Sequence, residues 1–143
     1  MLTQSEADAL LALQKQFVNT KVLNLGRVAL DETHDLISLD GREKFLLDIW
    51  RGGINLSKYR YNNRARVIYI LARVDIGGPP HRNPDGIIIP SSHIHIYREG
   101  YADKWAYPLS DYGFSAPVDM VTVLRDFAGL CNITLPPCQL RAY

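Results

Sequence analysis

Between Arg64 and Ile76 the chain reads R-A-R-V-I-Y-I-L-A-R-V-D-I, a run rich in β-branched and aromatic residues and free of glycine and proline. A strand of this length belongs in the middle of a sheet rather than at its edge. In an extended backbone Ile68, Ile70, Ala72, Val74 and Ile76 share one face, while Val67, Tyr69, Leu71, Arg73 and Asp75 share the other. The second face turns polar towards its end, and any fold built on this strand must give that end a polar setting.

The signals around the strand are shorter. Thr3 and Glu6 have capping-box spacing, and Leu10, Leu13 and Phe17 recur at helical intervals, which predicts a helix over 4–18. Apolar runs at 21–30, 34–39 and 43–50 are about strand length, and Asp40-Gly41 marks a hairpin between the last two, so the three predict an antiparallel meander. Asn62-Asn63 predicts a second turn, leading into the long strand. A C-terminal helix is expected from about Ser115-Ala116-Pro117, with Met120, Leu124 and Phe127 on its apolar face and Val121 and Leu130 flanking it, ending before Pro136-Pro137. Together these elements predict one α+β domain over 1–143: a twisted antiparallel sheet of about five or six strands with an N-terminal and a C-terminal helix.

Composition narrows the classes of function. The net charge of +1 excludes a generally polycationic nucleic-acid binder, so any such contact must come from a local patch. No run of 18 or more apolar residues and no signal-peptide pattern occurs, which predicts a soluble cytoplasmic protein without membrane contact. Cys131 and Cys138 stand without nearby histidines, poor zinc ligands that are expected to stay reduced.

Three of the four histidines fall between His81 and Trp105, in H-R-N-P-D-G-I-I-I-P-S-S-H-I-H-I-Y-R-E-G-Y-A-D-K-W. Strand alternation would place His93, His95, Tyr97 and Glu99 on one face and bury Ile94 and Ile96 on the other. The Gly77–Ser92 connection is rich in glycine and proline, and a connection that long in a compact domain is more often functional than a plain linker. If the strands on either side of it pair, Arg73 and Asp75 meet His93 and His95, and the loop brings His81, Arg82 and Asp85 overhead. Asn83-Pro84-Asp85-Gly86 reads as a turn. His34, among Asp31, Glu32 and Asp35, reads as a surface or edge-strand residue, and Trp50 and Trp105 read as packing residues.

A second cluster surrounds the Asn62-Asn63 turn, where Lys58, Arg60, Arg64 and Arg66 alternate with Tyr59 and Tyr61 for a local charge of +4. A two-residue hairpin there would set Tyr61 opposite Arg64 and Tyr59 opposite Arg66, a flat cationic and aromatic surface suited to phosphates and unstacked bases. The same pattern also serves to keep an exposed hairpin soluble.

Two chemistries fit the histidine strand. Cleavage of RNA by its own 2′-hydroxyl needs a base, an acid and cations on the phosphate. His93 and His95, or one of them with His81 or Glu99, would supply the first two, and Arg82, Lys104 and, less naturally, Arg98 the last. A site for a divalent transition metal would instead use His93, His95 and Glu99, with Asp85, Asp75 and His81 in reserve. A non-catalytic module would use the same face to bind RNA, a nucleotide or a host protein, and a purely structural reading has the histidines and Tyr97 hydrogen-bond across the sheet.

Two resemblances bear on the choice. The pattern G-x6-H-x-H-x3-E from Gly86 to Glu99 resembles the first metal motif of the cupins, one residue long in its first gap, and implies a metal held by His93, His95 and Glu99 in a double-sheet barrel. The later cupin motif is missing, since no histidine follows His95. H-R-N-P-D-G at 81–86 and H-I-H-I-Y-R-E-G-Y-A-D-K-W-A at 93–106 are similar to a small uncharacterised family of bacterial and mobile-element proteins. That resemblance strengthens the choice of location and brings no established activity with it. Small α+β proteins of mobile elements include ribonuclease toxins, for which a protein antitoxin is the expected partner, and inhibitors of host defence, for which it is a host protein, but this is an association of fold and context, not of mechanism.

Overall fold

The structure is a computed structural model, and the residues it describes are 1–115 and 119–141. Its strands follow from period-two alternation. In β3 (Leu30–Ser38), β4 (Lys44–Arg51), β5 (Tyr59–Ala65) and β6 (Tyr69–Ile76), buried and less buried residues alternate along most of each strand, whereas β9 (His93–Ile96) is buried on both faces over its first three residues. Short strands β1 (Lys15–Phe17), β10 (Ala106–Pro108) and β11 (Ile133–Thr134) extend the sheet to eight, in the order β10-β9-β6-β5-β4-β3-β1-β11. All neighbours are antiparallel except β1 and β11. The class is therefore α+β, as expected. The sheet is larger than expected because these three-residue and two-residue strands are too short to show a period in the sequence, and it is open rather than the double-sheet barrel of a cupin.

Helix α1 (Gln4–Ala12) starts with the expected capping box: the Glu6 amide donates to Thr3 Oγ1 at 3.1 Å and the Thr3 amide to Glu6 Oε1 at 3.1 Å. It ends at Ala12 rather than at 18, because residues 15–17 are taken into the sheet as β1. Lys15 then points inward and its amine donates to the carbonyls of Leu11, Leu13 and Cys131 at 2.7–2.8 Å, satisfying late carbonyls at the C-terminal ends of both helices. Burial pushes this amine's pKa down to about 8. Helix α2 (Met120–Cys131) is capped by Asp119, which accepts from the Thr122 amide at 2.7 Å, and closes at Asn132 in the left-handed region. Of the expected start, Ala116 and Pro117 lie outside the described residues. Met120, Leu124 and Phe127 are buried as their spacing predicts.

One turn forms as expected and one does not. Asp40-Gly41 closes the β3–β4 hairpin, with Gly41 at φ +74°, but of the strand expected over 21–30 only Leu30 joins it, as the first residue of β3. Upstream of it β2 (Leu23–Asn24) pairs instead with β12 (Cys138–Gln139) in a separate two-stranded sheet. Asn62-Asn63 is not a turn. Strand β5 runs straight through it, Asn63 is buried with its amide donating to the Leu46 carbonyl at 3.2 Å, and the chain reverses after Ala65, where Arg66 and Val67 take φ of +51° and +68°.

The sheet has two unlike faces. Phe45, Leu47, Ile49, Tyr61, Ala72, Val74 and Ile94 are buried in one core cluster with Ala7 and Leu10 of α1 and Val123, Leu124 and Phe127 of α2. The opposite face carries two polar rows set by register. Trp50, Arg60, Asp75 and His93 lie opposite one another across four strands, and Asp48, Asn62, Arg73 and His95 form the next row. The Gly77–Ser92 segment is not structureless: β7 (His81–Arg82) and β8 (Ile88–Ile89) make a small hairpin. No helix among the described residues is long and apolar enough to cross a membrane.

Candidate active site

Pairing of β6 with β9 puts His93 opposite Asp75 and His95 opposite Arg73, as the sequence predicts for strands flanking the loop. His93 directs Nδ1 at the Pro90 carbonyl (2.9 Å) and Nε2 at Asp75 Oδ2 (3.5 Å). His95 directs Nδ1 at the Asp103 carbonyl (2.8 Å), while Nε2 lies 3.0 Å from Arg73 Nη2 and 3.3 Å from Asp75 Oδ2. The hairpin delivers the third imidazole: His81 Nε2 meets the Lys104 carbonyl at 2.7 Å, and its ring sits 4.6 Å from that of His95 and 5.8 Å from that of His93.

A carbonyl only accepts, so each nitrogen facing one carries the hydrogen. His93 and His95 are thereby fixed with N–H at Nδ1, and His81 with N–H at Nε2. Arginine only donates, so His95 Nε2 presents its lone pair to Arg73 and the ring is neutral. Burial pushes the His95 pKa down and the Arg73 charge adds to that, against the opposing pull of Asp75. At Asp75 burial works against the charged form. The Arg73 guanidinium beside it opposes this, and the carboxyl is held well below the usual carboxylate range.

Two arginines converge on the same carboxylate. Arg60 Nε donates to Asp75 Oδ1 at 3.0 Å and Arg73 Nη2 to Oδ2 at 3.1 Å, while Arg73 Nη1 reaches Asp103 at 2.9 Å. Arg73 Nε is buried and has no hydrogen-bond partner among the described residues. Beside this network lies a cavity of about 250 Å³ lined by Trp50, Lys58, Arg60, Arg73, Asp75, His81 and His93 among others. Lys58 and Arg60 stand 5.9 and 5.7 Å from the Trp50 ring. Three permanent cations against one carboxylate make this cavity suited to an anion.

Several expected site residues lie elsewhere. Strand β9 ends at Ile96, and opposite that point β6 carries Leu71 as an extra, bulged residue. The alternation breaks there: Tyr97 is buried in the core with its hydroxyl donating to the Leu2 carbonyl at 2.7 Å, and Glu99 accepts from the Gln4 amide at 2.6 Å, anchoring the start of α1. Glu99 is therefore not a partner of the histidines, and the carboxylate beside them is Asp75. Arg82 and Asp85 are exposed and bond within the hairpin, to the Gly86 carbonyl and the Ile87 amide. Lys104 meets His81 through its carbonyl, and Arg98 lies over the Trp105 ring at 4.1 Å.

The basic and aromatic hairpin is also not formed. With the turn moved, Tyr59 pairs with Ile76 and Tyr61 with Val74, and both rings enter the core. Burial raises both phenols, Tyr59 to about 12. Arg64 binds Asp48 at 2.7 Å and Arg66 binds Glu43 at 3.2 Å, so of this group only Lys58, Tyr59 and Arg60 line the cavity. Sequence reasoning missed Asp103, which sits within the same D-K-W string as Lys104, and Asn83, whose side chain bonds both the amide and the carbonyl of Ala106 at 2.8 and 2.9 Å. His34 is partly buried, bonding Thr20 and Glu32 on β3. Cys131 and Cys138 are both free.

Fold and site together define an open, mostly antiparallel α+β sheet with a polar, histidine-lined cavity on the face away from its helices. The chain belongs to a family of unknown function, DUF6978, whose model matches residues 2–133, in agreement with the expected membership of an uncharacterised family. No curated protein and no solved structure matches it.

Proposed function

We propose that this protein cleaves single-stranded RNA by general acid–base chemistry, with His81 and His93 as the proton-transfer pair. The observation that carries this reading is that both rings, each oriented by a backbone carbonyl, line one cavity with Lys58, Arg60, Arg73 and Trp50. His81 Nδ1, free of its own hydrogen, takes the proton of a ribose 2′-hydroxyl. The 2′-oxygen then bonds to phosphorus, the bond from phosphorus to the 5′-oxygen breaks, and protonated His93 returns a proton to that oxygen from Nε2. Products are a 2′,3′-cyclic phosphate and a 5′-hydroxyl. Asp75 Oδ2 lies 3.5 Å from His93 Nε2, beside the proton to be transferred.

Arg73 and Lys58 line the same cavity and would stabilise the extra negative charge of the pentacoordinate phosphorus. Trp50 offers an aromatic wall for a base. His95 is a positioning residue here, since its Nε2 is engaged by Arg73. The test is incubation of end-labelled single-stranded RNA and of the matching DNA with purified protein. RNA alone should be cut, and His81→Ala and His93→Ala should each slow cleavage by about 10²–10⁴-fold with unchanged circular dichroism. RNA bound but recovered intact would leave a binding site without chemistry and overturn the proposal.

A further inference from the structure

We propose that Asp75, His93 and His95 also form a site for one divalent transition metal of the zinc class, which Arg73 guards as an internal cation. The three ligand atoms lie within 4.8 Å of one another. His93 Nε2 and His95 Nε2 stand 3.5 and 3.3 Å from Asp75 Oδ2. Two ligands at zinc–nitrogen or zinc–oxygen distances on a tetrahedral centre are separated by about 3.4 Å, so both pairs already have the spacing of a tetrahedron's edge. The outer contacts fit as well. Histidines that ligate through Nε2 commonly donate Nδ1–H to a carbonyl or carboxylate, and the Pro90 and Asp103 carbonyls accept from these two. His95 is neutral as it stands, the form in which imidazole ligates.

What opposes a metal is Arg73, whose Nη2 lies 3.0 Å from His95 Nε2 and 3.1 Å from Asp75 Oδ2. The guanidinium already supplies positive charge between those two ligands. Its second contact, Nη1 to Asp103 Oδ2 at 2.9 Å, lets the group withdraw while keeping a carboxylate partner. Glu99, bonded to the Gln4 amide, has no part in the site. The inferred metal takes the Nε2 lone pair of His93, so on the reading of His93 as a proton carrier zinc inhibits cleavage; the binding itself does not rest on that reading.

The experiment titrates purified protein with zinc chloride by calorimetry and with cobalt chloride by visible absorption, without RNA. One equivalent should bind, and cobalt should show the intense d–d bands of a tetrahedral centre. His95→Gln and Asp75→Asn should lose both signals. Arg73→Met should bind at least about tenfold more tightly, since a like charge has been removed from the ligands. That gain guards against misreading a poorly folded variant, because an unfolded chain has no tetrahedral site to strengthen. Failure of wild type and Arg73→Met to bind, or binding that survives His95→Gln, overturns the proposal. RNA cleavage measured in EDTA and again with one equivalent of zinc separates the two readings: titration can succeed where cleavage fails, and the reverse.

Discussion

His95 is the most confined group in the site, with no solvent exposure, a carbonyl on one nitrogen and a guanidinium on the other. Confinement of this kind has a pH signature. Its pKa is pushed below the ordinary 6.5, so as pH falls through about 6.5 the unfolded chain takes up a proton that the folded chain refuses, and stability declines. Asp75 adds a second loss at lower pH: its folded pKa is depressed, so its contribution is complete above the ordinary carboxylate value of 3.8 and fades below it. Denaturant melts across pH should therefore show an acid limb beginning near 6.5, and His95→Gln should remove its upper part. A limb of unchanged shape in that variant would mean that His95 is not held neutral. At this scale the sequence located the imidazoles and the Arg73 and Asp75 pairing, because both depend only on strand alternation and on the two flanking strands meeting. It misassigned the carboxylate, because alternation was carried past Ile96 to Glu99 and a bulge at Leu71 has no local signature.

Elements that announce themselves by a cap or a glycine turn formed where expected: the Thr3–Glu6 box and the Asp40-Gly41 hairpin both did. The Asn62-Asn63 turn did not, since asparagine's tolerance of the left-handed region is only a preference. Both faces of β5 were better satisfied by running on, with Tyr61 and Asn63 inside and Arg60 and Arg64 on the carboxylates of Asp75 and Asp48. The cost appears at the turn itself. Val67 is exposed, β-branched and left-handed at φ +68°, a strained combination. Val67→Asn should stabilise the protein by about 1 kcal/mol, a rise of about 2–4 °C in melting temperature. A lower melting temperature would show that the valine side chain contributes more by packing than its backbone costs.

Across the whole molecule the proposed chemistry rests on a division of labour between the faces of one sheet, with the helices on one side and the His81 hairpin on the other. The class of fold was legible because it rests on the long strands and the two helices. The extent of the sheet was not, since β1, β10 and β11 are paired by tertiary context. The hairpin is tied to β10 by Asn83, whose side chain bonds both backbone groups of Ala106. Asn83→Ala should leave those buried groups without partners at a cost of about 2–4 kcal/mol and reduce cleavage by at least about tenfold through loss of His81 placement. Full activity in that variant would detach the hairpin from the mechanism.

The most direct test of the account uses a DNA oligonucleotide carrying a single ribonucleotide, incubated with the protein in EDTA and read by mass spectrometry. Acid–base cleavage through the 2′-hydroxyl predicts one cut, immediately 3′ to the ribose, leaving a 2′,3′-cyclic phosphate and a 5′-hydroxyl, and no cut with His93→Ala. An intact oligonucleotide under conditions that cut RNA, cuts at deoxyribose positions, or a cut retained by His93→Ala would contradict it.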